Sequence, residues 1–344
     1  MWDKDRIRLI FLCLAVGSLW VWSWNRTQPP FKGYSRAQFL MDTLVEITVV
    51  DSDADRAKKV VEKAFQEIRR IEGLLNRYNL QDQAFQRGYG EERSLHVDDE
   101  VGSLLKRAIA YGDLSGGAFD ITVGVLTKLW GFNEEVQRIP DVRSLYEVLP
   151  LVNYKNLKLS PDGKTIYLKK PGIILDLGGI ARGYALDRAL EVIRDNGIRH
   201  ALVKTEGDFR MMGHSPEGTA WQIGIPHPRD RSALLGVLTT TDNAVVTLGD
   251  YQKFFIEGKV RYHHLLNPKD GMPANQCQSV TLLAETAEKA EALATAVFIL
   301  GPQKGLELIE RLPDVEGLIL DERGYLLPSS GFETLNFSWY PSTS

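Results

Sequence analysis

Two hydrophobic rhythms alternate along the chain. "MDTLVEITVV", from Met41, is rich in β-branched residues and predicts a strand. From Asp55 to Leu75 the apolar positions Val60, Val61, Ala64, Phe65, Ile68, Ile71 and Leu75 recur at helical spacing. "LNRYNLQDQAFQRGYGEERS" keeps neither period and predicts a long loop. "VDDEVGSLLKRAIAYGDLSGGAFD" reads as a capped helix ending in a Gly-rich turn. "TIYLKKPGIILDLGGIARGYALDRALEVIRDNGI" predicts a hairpin of strands, a turn at Gly178-Gly179 and a helix closed by Gly197. Short β segments then run through "HALVKTEGDFRMMG", "WQIGIPHP", "LLGVLTTTDNAVVTLGDYQKFF" and "VRYHHLLNP". "SVTLLAE" reads as a strand, "TAEKAEALATAVFILG" as a helix, and a last helix and strands follow Pro302. Irregular alternation with many hairpins predicts an α+β class with mixed or antiparallel sheets and packed helices.

The N-terminus breaks this pattern. "LIFLCLAVGSLWVWSW", Leu9 to Trp24, is uncharged, with Arg6 and Arg8 before it and three tryptophans at its far end. Such a run suits a membrane-inserted segment with an interfacial aromatic anchor. It is short of the usual span of about 20 residues, a deficit that snorkelling arginines relieve. The expectation is an uncleaved signal-anchor helix and linker over 1–30. The domain of 31–344 would then lie on the extracytoplasmic (periplasmic) side of the plasma or inner membrane. A signal peptide cut near "AVG", lipidation at Cys13, and a buried soluble helix are the other readings.

Composition narrows the chemistry. The 344 residues, 44% hydrophobic and 25% charged with net charge −4, are ample for a buried core and argue against nucleic acid as the main partner. Cys13 and Cys277 are the only cysteines, so a thiolate cluster is excluded and any metal is held by oxygen or histidine.

Three clusters could carry a reaction. In "IILDLGGIARGYALDRA" a predicted apolar strand ends at Asp176 and glycines lead into a helix. A helix start offers N–H groups to phosphate; the plainer account is a tight turn capped by Asp176. In "GGAFDITVGVLTKLWGF", Phe119, Asp120, Trp130 and Phe132 are either flat binding surfaces or core. In "RYHHLLNPKDG", His264 is a general base or a satisfied core imidazole, and His263 should face the other way and tolerate change. Glu291 and Thr295, four apart, share a helix face and suit a hard cation such as Mg²⁺. Alternatively Thr295 bonds back to a helix carbonyl while Glu291 faces solvent.

Read in order, "MDTLVEITV", "NRY", "GGAFDITVGVLTKLWGF", "LDLGGIARGYALDRA", "GDFRMMG", "TLGDY", "HHLLNPKDG" and "AEALATAVFILG" resemble the serial motifs of the ApbE family of FAD:protein FMN transferases, over about residues 37 to 335. The resemblance implies a single α+β domain that binds FAD with Mg²⁺ at the pyrophosphate. It implies transfer of FMN to a threonine of an acceptor flavoprotein subunit in trans, with release of AMP. Met41, Tyr78, Ala118, Phe119 and Asp120 would serve the adenine and ribose side. Gly178 and Tyr184 would line the phosphate turn, and Leu266 the flavin side. The Ala181 carbonyl, Glu291 and Thr295 would hold the metal, and His264 would be the base.

Several positions depart from the family pattern. Glu291 stands for its aspartate, Arg182 for its lysine, and Asp270 for the threonine of its "DP-x-TG" turn. Asp42 and Glu206 replace glycines, Asn267 an aspartate, and Leu248 a serine. Asp270 could supply a metal oxygen or obstruct. A non-catalytic FAD carrier, and hydrolysis of FAD to FMN and AMP, are therefore the alternatives to transfer.

Overall fold

The computed structural model describes residues 32–77, 93–132 and 134–340. The run Leu9 to Trp24, Tyr78 and most of the predicted long loop lie outside the described residues. Among those described, no helix is long and apolar enough to cross a membrane.

An eight-stranded sheet is the frame. Its strands are β1 (Lys32–Leu40), β2 (Thr43–Asp51), β6 (Ala201–Lys204), β7 (Asp208–Met212), β10 (Ala244–Gly249), β13 (Cys277–Ala284), β14 (Glu316–Asp321) and β15 (Leu326–Pro328), in that spatial order. Every neighbouring pair is antiparallel. On one face pack α1 (Ala54–Arg77), α5 (Ala181–Asp195), α6 (Ala287–Leu300) and α7 (Pro302–Glu310). On the other lies a three-stranded sheet of β8 (Trp221–Pro226), β9 (Leu234–Thr240) and β16 (Phe337–Trp339).

Period-2 alternation builds both layers. Val49 and Val203 join the helix-side core, while their neighbours Val50 and Leu202 join Trp221, Ile223 and Leu238 on the other side. Central β10 is buried at all six positions, as a strand covered on both faces requires. The expected α+β class with antiparallel sheets is what the chain adopts.

The site hangs on smaller elements. The helix α2 (Asp99–Leu114) leads into the turn at 115–122, then α3 (Gly124–Trp130) and α4 (Val142–Val148). A minor sheet joins β3 (Arg93–His96), β4 (Leu157–Leu159) and β5 (Thr165–Leu168). A separate hairpin of β11 (Phe254–Glu257) and β12 (Val260–His263) ends one residue before His264.

One expectation is corrected. Residues 173–175 do not form a strand in a hairpin with β5; β5 pairs with β3 and β4, and Ile174 makes only an isolated bridge to Val123. Pro171 and Gly172 break the ladder, and Ile173–Leu175 are buried by packing instead.

Candidate functional site

Several predicted residues converge where α5 begins. Between Ile174 and the helix the chain turns sharply, with Asp176 Oδ1 accepting from the Gly178 amide (2.8 Å) and Oδ2 from the Thr127 hydroxyl (2.8 Å). Asp176 is thus the cap of a tight turn. A Cβ added at Gly179 would lie 3.2 Å from Thr295 Oγ1 and 3.3 Å from the Phe119 ring. Glycine here lets the turn press against both, so the 118–120 segment, the turn and α6 meet at one place.

The expected phosphate-binding amides are largely used. The amides of Gly178, Ile180, Ala181 and Gly183 all donate within the protein. Those four helix-start amides are therefore already committed within the protein.

Glu291 is fully buried, not solvent-facing. Its Oε2 accepts from the Gly183 amide (2.8 Å) and its Oε1 from Arg182 Nε (3.2 Å). Burial raises its proton affinity above the ordinary carboxylate range, and Arg182 opposes that rise. The Thr295 hydroxyl bonds back to the Glu291 carbonyl (3.0 Å). That bond uses its proton and leaves the oxygen's lone pairs on the side facing Gly179. A buried carboxylate and a hydroxyl oxygen across a glycine cradle are a donor set that fits a hard divalent cation. Among the described residues no cluster of three or more His, Cys, Asp or Glu suits a metal, so backbone, Thr295 and substrate oxygens would have to complete the coordination.

His264 follows β12 with its Nδ1 3.2 Å from the Lys253 carbonyl. A carbonyl only accepts, so Nδ1 carries the proton and Nε2 keeps its lone pair. Loss of solvation, then the charges of His263 and Arg182, push its pKa down to about 3, so the ring is neutral at neutral pH. The loop after it is pinned by Trp130, whose Nε1–H donates to the Gly271 carbonyl (2.8 Å).

Met41 and Asp42 form the two-residue link between β1 and β2, at φ of 55° and 58°. Both central residues left-handed is the geometry of a type I′ turn, in which aspartate is among the better substitutes for glycine. Asp42 thereby adopts a turn that glycine also favours. Met41 is a bulkier residue in that conformation, held by its amide donating to Glu72 (2.8 Å). Asp42 and Asp176 both act electrostatically on Lys253, which links this turn to the His264 side.

Other predicted residues are employed elsewhere. Asp120 is buried and accepts from the Thr122 amide (2.8 Å) and hydroxyl (2.6 Å) and from the Tyr154 amide (2.8 Å), so it fastens its own turn. Ala118 and Phe119 are buried beside it, Phe119 edge-on to Tyr111. The Tyr184 hydroxyl donates to Glu100 on α2 (2.6 Å), which turns it toward the α2 side rather than into the turn. Leu266 is buried in the aromatic cluster around Trp130. Asp270 is exposed, its oxygens accepting from the Met272 amide and Asn267, as a turn cap does. Leu248 is buried in the main core. His263 is 3% exposed against Phe298, so the expectation that it tolerates change is corrected.

Asp208, at the start of β7, was not anticipated. It is 1% exposed, its Oδ2 lies 3.5 Å from Arg182 Nε, and its Oδ1 has no hydrogen-bond partner among the described residues. An aspartate opening the short strand "DFRMM" was the available signal.

With that geometry established, likeness to known proteins is specific. The sequence pattern of the ApbE family matches residues 41–319, and the chain belongs to that family. A FAD:protein FMN transferase of Treponema pallidum is 31% identical over 306 residues, 83% of this chain and 84% of that one. One from Klebsiella pneumoniae is 29% identical, covering 89% and 94%. Among solved structures, the ApbE protein of Thermotoga maritima superposes with a TM-score of 0.80 at 32% identity, covering 88% of this chain and 99% of that one.

Proposed function

We propose that this chain is an enzyme that transfers FMN from FAD to a threonine hydroxyl of an acceptor flavoprotein subunit, releasing AMP. Family membership supports the reaction class, and the His264 arrangement carries the mechanistic reading. The acceptor hydroxyl is a weak nucleophile, and Nε2, left unprotonated by the Nδ1 contact, would take its proton. The hydroxyl oxygen bonds to the FMN-side phosphorus as the bond from that phosphorus to the AMP oxygen breaks. Mg²⁺ held by Glu291, the Thr295 oxygen and the Ala181 carbonyl would neutralise charge gathering on the pyrophosphate. Arg182, itself bound to Glu291, would add a side-chain cation to this site. Gly178 and Gly179 would let the substrate approach the backbone of the turn, and Met41 would serve the adenine side from the β1–β2 link.

His264→Ala should lower FMN transfer to an acceptor subunit about 10²- to 10⁴-fold while FAD affinity, read by fluorescence titration, stays near wild type. A parallel loss of FAD binding would make His264 a ligand contact rather than a base. AMP release undiminished when acceptor is omitted would assign the chain to FAD hydrolysis instead.

A further inference from the structure

Resting on the reading of Glu291 as a cation ligand, we propose that Arg182 is a movable counter-ion. Divalent-cation binding shifts its guanidinium from Glu291 to Asp208, and the Arg182–Asp208 pair thereby sets how tightly the site takes its cation.

The geometry is that of one donor between two anions. Arg182 is the second residue of α5, Glu291 lies on α6 and Asp208 opens β7. Arg182 Nε sits 3.2 Å from Glu291 Oε1 and 3.5 Å from Asp208 Oδ2. A single N–H points well at only one of them, and at these distances Glu291 has it. Asp208 Oδ2 accepts from the Thr205 hydroxyl (3.0 Å), while Oδ1, buried, accepts from nothing among the described residues. A buried anionic oxygen without a donor is costly, and proteins rarely leave one so. Here it stands beside a guanidinium whose planar fork can hold both oxygens of a carboxylate at once.

A divalent cation on Glu291 repels Arg182, because both claim the same carboxylate. The guanidinium need not go to solvent, since Asp208 already adjoins it and Glu206 adds a further negative charge acting on it. Two departures from the family pattern then make one device. Glutamate at 291 reaches far enough to meet the guanidinium, and arginine at 182 can fork onto Asp208 where lysine would offer a point charge. Arg182 and Asp208 act through Glu291 and are positioning residues.

The test uses the full-length, detergent-solubilised protein with Mg²⁺ alone. Crystals grown with Mg²⁺ should show both Asp208 oxygens within hydrogen-bond distance of the Arg182 guanidinium, and Mg²⁺ on Glu291. Arg182 still bonded to Glu291 with Mg²⁺ in place overturns the proposal. Mg²⁺ seated away from Glu291 overturns the cation-ligand reading, and the switch with it. Calorimetric titration supplies the second measurement. Asp208→Asn should weaken Mg²⁺ binding about tenfold, by stranding the displaced guanidinium. In an Arg182→Met background the same change should cost less than about threefold. Equal losses in both backgrounds would make Asp208 a direct contributor to cation binding and refute the relay.

Discussion

Acidification should weaken this fold through His263. The ring is 3% exposed, stands edge-on to Phe298 with centroids 5.6 Å apart, and its Nδ1 accepts from the Leu265 amide (3.3 Å). A proton on Nδ1 would break that bond and put a charge in the core, so burial pushes the pKa from 6.5 down to about 4. The unfolded chain takes up its proton as pH falls through about 6.5 and the folded chain only near pH 4. Stability is therefore unaffected above that window and declines as pH falls through it. At about 1.4 kcal/mol per factor of ten in proton affinity, the loss attributable to His263 by pH 4 is roughly 3 kcal/mol. Urea unfolding at pH 7.5, 6.5, 5.5 and 4.5 (about one pH unit apart) reads it directly. His263→Gln keeps a hydrogen-bond acceptor but cannot titrate. It should be less stable than wild type at pH 7.5, yet lose less stability on acidification, by up to about 1.4 kcal/mol per pH unit near pH 5. Identical pH slopes in the two proteins would refute a buried neutral His263.

Gly179→Ala should weaken Mg²⁺-dependent FAD binding, measured by flavin fluorescence, because the methyl meets Thr295 Oγ1 at 3.2 Å and the Phe119 ring at 3.3 Å. Overpacking of this kind costs about 1–3 kcal/mol, and unchanged affinity would move the cation away from Thr295. Asp120→Asn should lower the melting temperature, since an amide group replaces one acceptor oxygen facing the Thr122 and Tyr154 donors, at about 1–3 kcal/mol. Its FAD affinity should hold; a selective loss of affinity would restore Asp120 as a ribose ligand.

The sequence was most legible where burial and period coincide. The stripe from Val60 to Leu75 announced α1, and the β-branched runs announced β2, β10 and β13, because one face of each must be covered. It was least legible where a polar group has two possible employers. Asp120 and Asp176 have the same local look whether they bind a ligand or fasten their own turn, and only the partners at Tyr154 and Thr127, 34 and 49 residues away, decide. Apolar Ile173–Leu175 resembled a strand because buried backbone without a ladder has the same composition as buried backbone with one. Glu291 and Thr295 were readable as a pair because the helix fixes their spacing, whereas Arg182 and Asp208 come together only through the packing of α5 on β7.

His264 lies where two cores meet. Trp130, Phe132, Phe255, Tyr262 and Leu266 belong to a small aromatic core distinct from the one under the eight-stranded sheet, and the Trp130–Gly271 bond ties the loop after His264 to it. The neighbours of His264 in the chain, His263 and Leu265, pack into the main core, against Phe298 and within the buried cluster, so order at this imidazole draws on both cores. Loosening the aromatic corner would release the loop after His264 on one side while the eight-stranded sheet stays intact.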